Sequence, residues 1–269
     1  MPGHFDILSA RNPVVKELFH LRLKRRERLR HGLALIRGRQ IIQAIGEHFP
    51  FRRIYTHEEV EKWTGYNAER IVRVTKPVLS HILFPPNRAK HAATLDDDEF
   101  VLGTIEQPEP VDEFPESARW ILALDAIKQP ENMGLLLSTA VALRFDGVFL
   151  LEGSIDPFNY KVLQASQAVA WTLPYRHGSA EMLVELCRRR AIAPWAADAD
   201  GMPVSELPPR AAGIEGFCLA VGNETRGVRP ELLASCQRVA LPMSELSDSL
   251  NAGVAGGILM HALACAWGR

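Results

Sequence analysis

Three segments of the sequence place polar and glycine residues directly after runs of apolar residues. The first segment, DAIKQPENMG (125–134), follows WILAL; the second, GNETRG (222–227), follows CLAV; the third, PMSELSDSLNAG (242–253), follows RVAL. Gly, Asn, Ser and Pro let the backbone approach a ligand and offer short polar groups. Ligands of open parallel sheets bind at the carboxyl ends of strands. We therefore expect the three segments to converge on one binding pocket.

The elements that position these segments follow from the apolar pattern. From residue 119 to the end, apolar strands alternate with helical patterns, which predicts an α/β domain with a parallel sheet covered on both faces. Residues 1–105 alternate in the same way and predict a smaller α/β domain. Residues 106–118 are rich in proline and acidic residues, without an apolar period, and are interpreted as a linker.

The N-terminal region carries the strongest charge asymmetry of the chain. Asn12 and Pro13 predict a helix start, and Gly32 predicts its end. Residues 11–30 contain eight Lys and Arg residues against two Glu residues, although the formal net charge of the whole chain is only −1. A charge run of this kind is either a solvated face or a phosphate-binding surface. We favour phosphate contact and expect it from six residues: Lys16, Arg22, Lys24, Arg25, Arg26 and Arg28.

Several classes of protein are disfavoured by the sequence. No GxGxxG follows the first strand of either half, and no GxxxxGK[ST] occurs, which argues against an unrelated nucleotide-binding enzyme. The four cysteines form no CxxC pair, and none has a histidine at metal-ligand spacing, so we expect packed thiols and no metal site. No apolar run reaches about 18 residues and no signal-peptide core is visible, so we expect a cytoplasmic protein without a membrane span.

Taken together, the three segments resemble the SpoU/TrmH branch of the SPOUT superfamily, which methylates ribose 2′-hydroxyls of ribosomal or transfer RNA. Asn132-Met133-Gly134 followed by Ser138-Thr139-Ala140 is similar to the family pattern N-x-G…R-T-A. Residues 222–227 are similar to G-x-E-x-x-G, and Leu241-Pro242-Met243 with Ser249-Leu250-Asn251 to I-P-M…S-L-N. Residues 12–28 and the Gly-containing strand that follows resemble more loosely the opening of the family's RNA-binding domain, with Arg37 where Glu before Gly is usual.

The resemblance implies a trefoil-knotted C-terminal domain that acts as a homodimer on RNA. It further implies that S-adenosylmethionine lies in a crevice lined by the second and third segments. Matching of motifs assigns the adenosine contacts to the backbone around Gly222, Leu241, Met243 and Leu250.

Matching of motifs also suggests catalytic positions, and each has a structural alternative. These positions are Asn132, Glu224, Arg226, Ser249 and Asn251. Asn132 either contacts the ribose or caps a helix beginning at Met133, and Ser249 and Asn251 have the same two interpretations. Glu224 either pairs with Arg226 or positions RNA.

One departure from the family pattern concerns catalysis. The family carries an arginine, thought to help activate the 2′-hydroxyl, where this chain has Ser138. A guanidinium binds phosphate and stabilises negative charge, which a serine hydroxyl does poorly. Either another arginine supplies this charge, for which Arg226 is a better candidate than Arg144, or the chain is a catalytically weak or inactive RNA-binding or assembly protein.

Overall fold

The computed structural model describes residues 6–84, 95–207, 212–244 and 250–267. The chain divides into two compact units. Unit 1 comprises Met1–Pro108 together with Phe158–Ala168, and unit 2 comprises Glu109–Pro157 together with Val169–Arg269.

Unit 1 is built on a mixed four-stranded sheet with the order β1-β4-β2-β3. The β4 strand is antiparallel to β1 and β2, whereas β2 and β3 are parallel. Its core is formed by residues such as Leu18, Leu35 and Leu79, all 1% exposed or less. In chain order the elements are α1 (Pro13–Leu23), α2 (Arg25–His31), β1 (Leu33–Arg37), α3 (Arg39–Gly46), β2 (Phe51–Thr56), β3 (Ile71–Arg73), α4 (Lys76–Leu83) and β4 (Val101–Glu106).

The single basic helix predicted up to Gly32 is wrong, because the chain leaves helical geometry at Lys24. This residue is extended (φ −118°, ψ 116°) and separates α1 from α2. The break removes the helical partner of the Leu21 carbonyl, and the Arg28 guanidinium donates to that oxygen at 2.9 Å. The predicted stop is confirmed, since Gly32 ends α2 in the left-handed conformation (φ 62°). The sequence pattern of residues 58–70 also predicts a helix, and this prediction is wrong, because only a 3-10 turn, Val60–Trp63, forms there.

Unit 2 is built on a six-stranded sheet with the order β10-β8-β9-β5-β6-β7, in which every neighbouring pair is parallel. This confirms the predicted parallel sheet. In chain order its elements are β5 (Trp120–Asp125), α5 (Pro130–Ala142), β6 (Gly147–Leu151), β7 (Tyr175–Gly178), α7 (Ala180–Arg189), β8 (Ile192–Pro203), β9 (Gly216–Gly222), α8 (Pro230–Leu233), β10 (Gln237–Ala240) and α9 (Ala252–Ala266). The helix α6 (Tyr160–Ala165), which lies between β6 and β7 in the chain, belongs to unit 1.

Helices cover both faces of this sheet, as the alternation of β9 side chains shows. Ala220 packs in the cluster that contains Leu186 of α7 and Leu232 of α8. Successive strand residues point to opposite faces, and Val221 lies beside Gly256 of α9. Phe114, which lies within the segment interpreted as a linker, is 2% exposed in the core of unit 2.

Candidate functional site

The first and second segments begin side by side, at the carboxyl ends of the neighbouring strands β5 and β9 of unit 2. In the β5–β9 ladder, Asp125 is the partner of Gly222, so both strands end at the same level. The Asn223 side chain then crosses between the two segments and donates to the Ala126 carbonyl at 3.2 Å. Ala126 has a φ of 54°, an unfavourable conformation for a residue with a Cβ. The surrounding contacts therefore hold the backbone after β5 in a fixed, strained geometry.

A chain of polar side chains joins all three segments. The Asn132 amide donates to Glu224 Oε1, and Asn132 Oδ1 accepts from Asn251 Nδ2 at 2.7 Å. Asn132 is only 3% exposed, so both of its polar atoms are satisfied within the protein. Asn251 Oδ1 accepts in turn from the backbone amides of Gly253 and Val254. Convergence of the segments, which we expected from the sequence, is thus observed at the side-chain level.

The structure separates the capping roles that the sequence left open. Asn132 does not cap a helix, because α5 begins at Pro130 and Asn132 is its third residue. Asn251 does cap α9, as its hydrogen bonds to Gly253 and Val254 show. Ser249 lies outside the described residues.

The pairing of Glu224 with Arg226 suggested by the sequence is wrong. Glu224 accepts from Asn132 and, at 3.2 Å, from Asn223. The backbone amides of Thr225 and Arg226 both donate to Asn223 Oδ1, which turns the chain sharply after β9. Arg226 is exposed and lines a neighbouring cleft.

The second segment is so tight that its first residue must be glycine. Asn223 and Gly227 exchange two backbone hydrogen bonds of 3.1 and 2.8 Å. A Cβ atom at Gly222 would lie 2.1 Å from the carbonyl carbon of Gly227 and 2.2 Å from the amide nitrogen of Val228. Any side chain at residue 222 would therefore force the backbone apart.

A crevice of about 190 Å³ lies between the second and third segments and contains all four residues assigned to cofactor binding. Its walls are mainly apolar, and Met243 and Leu250 at its edge are 40% and 41% exposed. Asp198, the acidic group at its rim on the β8 side, lies 3.6 Å from Arg238. The lining residues are Ala197, Asp198, Ala199, Val221, Gly222, Asn223, Glu224, Gly227, Val239, Ala240, Leu241, Met243, Leu250, Ala252, Ala255 and Leu259.

The chemistry of these walls suits a nucleoside. Leu241, Leu250 and Leu259 offer apolar surface for a base, and glycine at residue 222 brings bare backbone close to the crevice. Pockets for nucleoside ligands are mostly apolar with a few polar groups that fix orientation. The residues present therefore suit the adenosine of S-adenosylmethionine.

A buried ion pair that the sequence analysis missed fixes the second segment to β5. Asp125 is 2% exposed and accepts from three nitrogens of Arg229: the backbone amide at 2.7 Å, Nε at 2.9 Å and Nη2 at 2.6 Å. The hydrogen bonds to Asp125 raise the pKa of Arg229. The signal was an acidic residue that ends a wholly apolar strand, since a buried carboxylate requires a partner.

Ser138, the departure from the family pattern, contributes no charge to this site. It is half-buried on α5, and its hydroxyl donates to the Leu135 carbonyl at 3.0 Å within the same helix. Leu135 itself is 43% exposed. Ser138 therefore lies towards an exposed helix surface.

The basic region of unit 1 divides into buried and exposed side chains. Arg28 is 1% exposed, so its expected phosphate contact is corrected to a structural role. Arg22 is half-buried, donates to the carbonyls of Ile82 and Leu83, and has its pKa lowered by burial. Lys16, Lys24, Arg25 and Arg26 are exposed, as phosphate contact requires.

The described residues contain neither a metal-binding cluster nor a membrane-spanning helix. No group of three or more His, Cys, Asp or Glu side chains is arranged there to hold a metal ion. No helix in the same part of the chain has the length and apolar character needed to span a membrane.

Comparison with known proteins gives one consistent match. A family model described as the SpoU rRNA methylase family matches residues 119–261. The chain is 28% identical over 268 residues to the 23S rRNA (guanosine(2553)-2′-O)-methyltransferase RlmP of Bacillus subtilis, covering 96% of this chain and 98% of the relative.

Solved structures show the same fold over nearly the whole chain. The AdoMet-bound rRNA methyltransferase from Sinorhizobium meliloti superposes with a TM-score of 0.79 at 23% identity, covering 96% of each chain. The SpoU methyltransferase AviRb from Streptomyces viridochromogenes, in complex with AdoMet, superposes with a TM-score of 0.77 at 23% identity, covering 95% of this chain and 98% of the other.

Proposed function

Because the chain belongs to the SpoU rRNA methylase family, we propose that it methylates a ribose 2′-hydroxyl of ribosomal or transfer RNA, using S-adenosylmethionine. The observation that carries this proposal is the hydrogen-bonded chain from Glu224 through Asn132 to Asn251. It lies where all three segments meet, beside the crevice.

The backbone around Gly222, Leu241, Met243 and Leu250 would hold the cofactor, which would supply a methyl group on a positively charged sulfur. We also propose that the segments around this crevice form the trefoil knot implied by the family resemblance. In support, β10 pairs with β8, while α9, which follows β10 in the chain, packs back against β8 and β9.

Catalysis requires that the ribose hydroxyl lose its proton as its oxygen takes the methyl group. We propose the Glu224 carboxylate as the acceptor for that proton, and Asn132 donates a hydrogen bond to one of its two oxygens. Asn251 orients Asn132 in turn, and it is itself held by the first turn of α9. Ser249 is proposed as a further group at this site by motif match alone.

We propose Arg226 as the cation that replaces the family arginine at residue 138. Its side chain is exposed and lies two residues beyond Glu224, in the loop that borders the crevice. The competing function is a catalytically weak or inactive RNA-binding or assembly protein. It is favoured by Ser138, an uncharged residue whose hydroxyl donates within its own helix.

A tritiated-methyl transfer assay on unmodified ribosomal and transfer RNA transcripts tests the proposal. We expect transfer by the native chain, at least a 10-fold loss for Arg226→Ala, and no comparable loss for the exposed control Arg188→Ala on α7. Activity that appears only in Ser138→Arg would establish the inactive alternative. Absence of S-adenosylmethionine binding in calorimetry would exclude the enzyme.

We propose that the protein forms a homodimer through α5 and α9. Leu135, Val254 and Ile258 are 43%, 47% and 46% exposed, and these two helices pack against each other. Apolar groups exposed together on adjacent helices mark a protein interface. Ile258→Asp should give a monomer in sedimentation, whereas Met182→Asp, at a residue equally exposed on α7, should not.

We propose that the exposed cations of unit 1 bind RNA phosphates without reading sequence. Replacing Lys24, Arg25 and Arg26 by Ala should lower the magnitude of the slope of log affinity against log salt by roughly 2–3, since each of the three phosphate contacts contributes roughly 0.7–0.9. An unchanged slope would show that these side chains are only a solvated face.

We propose that the enzyme acts in the cytoplasm, where ribosomal and transfer RNA are available.

A further inference from the structure

A second cleft, of about 850 Å³, lies on the other side of the second segment. It shares Asn223, Glu224 and Gly227 with the crevice, so the two spaces are separated only by this loop. Its volume falls within the range of small-molecule sites, about 300–1,000 Å³. It is lined by Asp125, Ala126, Lys128, Gln129, Ser179, Ala180, Glu181, Asn223, Glu224, Thr225, Arg226, Gly227, Arg229, Pro230 and Glu231.

The cleft opens at the point where the order of the strands reverses. From β5 the chain proceeds to β6 and β7 on one side, whereas β9, β8 and β10 lie on the other side. Asp125 and Gly222, which end β5 and β9, are neighbours there. Such reversal points are where open α/β sheets bind their ligands.

Charges of opposite sign occupy different walls of the cleft. Lys128 and Arg226, both exposed, belong to the loops that follow β5 and β9. Glu181 and Glu231, also exposed, belong to the first turns of α7 and α8. The Asp125–Arg229 ion pair, which also lines the cleft, carries no net charge. A nucleotide complements this separation of charges, because its phosphates are anionic and several of the nucleic-acid bases present N–H donors.

The Glu181 side chain can accept hydrogen bonds from a ligand in this cleft. Hydrogen bonds from the Ser179 side chain and from its own backbone amide lower the pKa of Glu181, so it is a carboxylate at neutral pH. Ser179 is itself fixed, since its hydroxyl oxygen accepts from the Met182 amide at 3.3 Å. Glu181 thus presents a carboxylate to the cleft from the first turn of α7.

We propose that this cleft receives the nucleotide to be methylated, and that Glu181 selects guanine while Lys128 and Arg226 hold the flanking phosphates. This inference rests on the proposed function. The two oxygens of a carboxylate match the adjacent N1–H and N2–H donors of guanine. In adenine and cytosine the amino group stands beside a ring nitrogen that repels a carboxylate, and in uracil the single N–H stands between two carbonyls. Glu224 lines both the cleft and the crevice, so a ribose bound at the wall that they share would lie next to its carboxylate.

The first test is the identity of the methylated nucleoside. Unmodified transcripts of 23S ribosomal RNA and of transfer RNA are methylated with the native protein, digested to nucleosides and analysed by mass spectrometry. We expect 2′-O-methylguanosine as the product. Methylation of uridine, cytidine or adenosine would overturn the selection of guanine and leave the proposed function intact. Absence of any product would refute the proposed function, and the second test then decides the role of the cleft.

The second test measures binding without methyl transfer. Guanosine 3′,5′-bisphosphate and uridine 3′,5′-bisphosphate are titrated calorimetrically into the native protein, Glu181→Ala and Glu185→Ala. Glu185 is an exposed carboxylate on the same helix that does not line this cleft. One bidentate base contact corresponds to roughly 10-fold in affinity. We expect the native protein and Glu185→Ala to prefer the guanosine compound by about that factor, and Glu181→Ala to show no preference. Equal affinities in the native protein, or a preference that survives in Glu181→Ala, would overturn the proposal.

Discussion

Loss of the Asp125 carboxylate should destabilise unit 2 and loosen the second segment. In Asp125→Ala, Arg229 loses three hydrogen bonds and its counter-charge together. Removing one member of a fully buried ion pair costs about 3–5 kcal/mol. The Arg229 side chain is 29% exposed and Nη2 keeps the Glu152 carbonyl as an acceptor, so we expect about 2–3 kcal/mol.

Scanning calorimetry of the full chain measures this loss. The transition that S-adenosylmethionine raises identifies unit 2, because a ligand stabilises the unit that binds it. For a domain of this size, about 2–3 kcal/mol corresponds to a midpoint lower by roughly 5–10 °C. The control is Glu215→Ala, which removes the exposed partner of Arg119 at 4.0 Å and should change the midpoint by less than about 2 °C.

The two variants together test whether the Asp125–Arg229 ion pair holds the second segment. A midpoint for Asp125→Ala no lower than that of Glu215→Ala would show that the ion pair does not hold the second segment. Replacing both members, as in Asp125→Leu with Arg229→Met, should recover part of the loss, because no unpaired charge then remains buried.

Further predictions concern the site and the thiols. Asn132→Ala loses both hydrogen bonds of its amide, so methyl transfer should fall by about 100-fold, and full activity would contradict our account of the polar chain. Gly222→Ala should abolish S-adenosylmethionine binding in calorimetry, whereas Gly257→Ala, whose added Cβ would meet only Thr139 at 3.7 Å, should retain it. Burial raises the pKa of Cys236 to about 12, so this thiol stays protonated at pH 8. Iodoacetamide should therefore label the exposed Cys265 first in peptide mapping, and equal labelling would refute this.

Much of unit 2 could be predicted because its signals are local. The apolar runs that became β5, β6 and β9 are buried throughout, and a continuous apolar run of that length is typical of a strand covered on both faces. The β7 strand, Tyr175–Gly178, was missed because its sequence, YRHG, has no apolar run. It forms because β6 offers an unpaired edge, which is a property of the sheet.

The direction of individual side chains could not be predicted from local signals. Arg28 stands in a run of cations like its neighbours, yet it is buried, because the break at Lys24 left a carbonyl that its guanidinium could satisfy. The exposed Arg25 and Arg26 follow the same break and point to solvent. Sequence composition alone does not distinguish these residues.

The sequence by itself determined the residue types of the site: glycine where a turn must be tight, and asparagine and glutamate where a strand ends. Only the tertiary structure decided their partners. Asn132 meets Glu224 across 92 residues of chain and Asn251 across 119, and Asp125 meets Arg229 across 104. Local preferences act over a few residues, whereas these contacts depend on the register of the parallel strands. That register is set by the packing of the whole sheet.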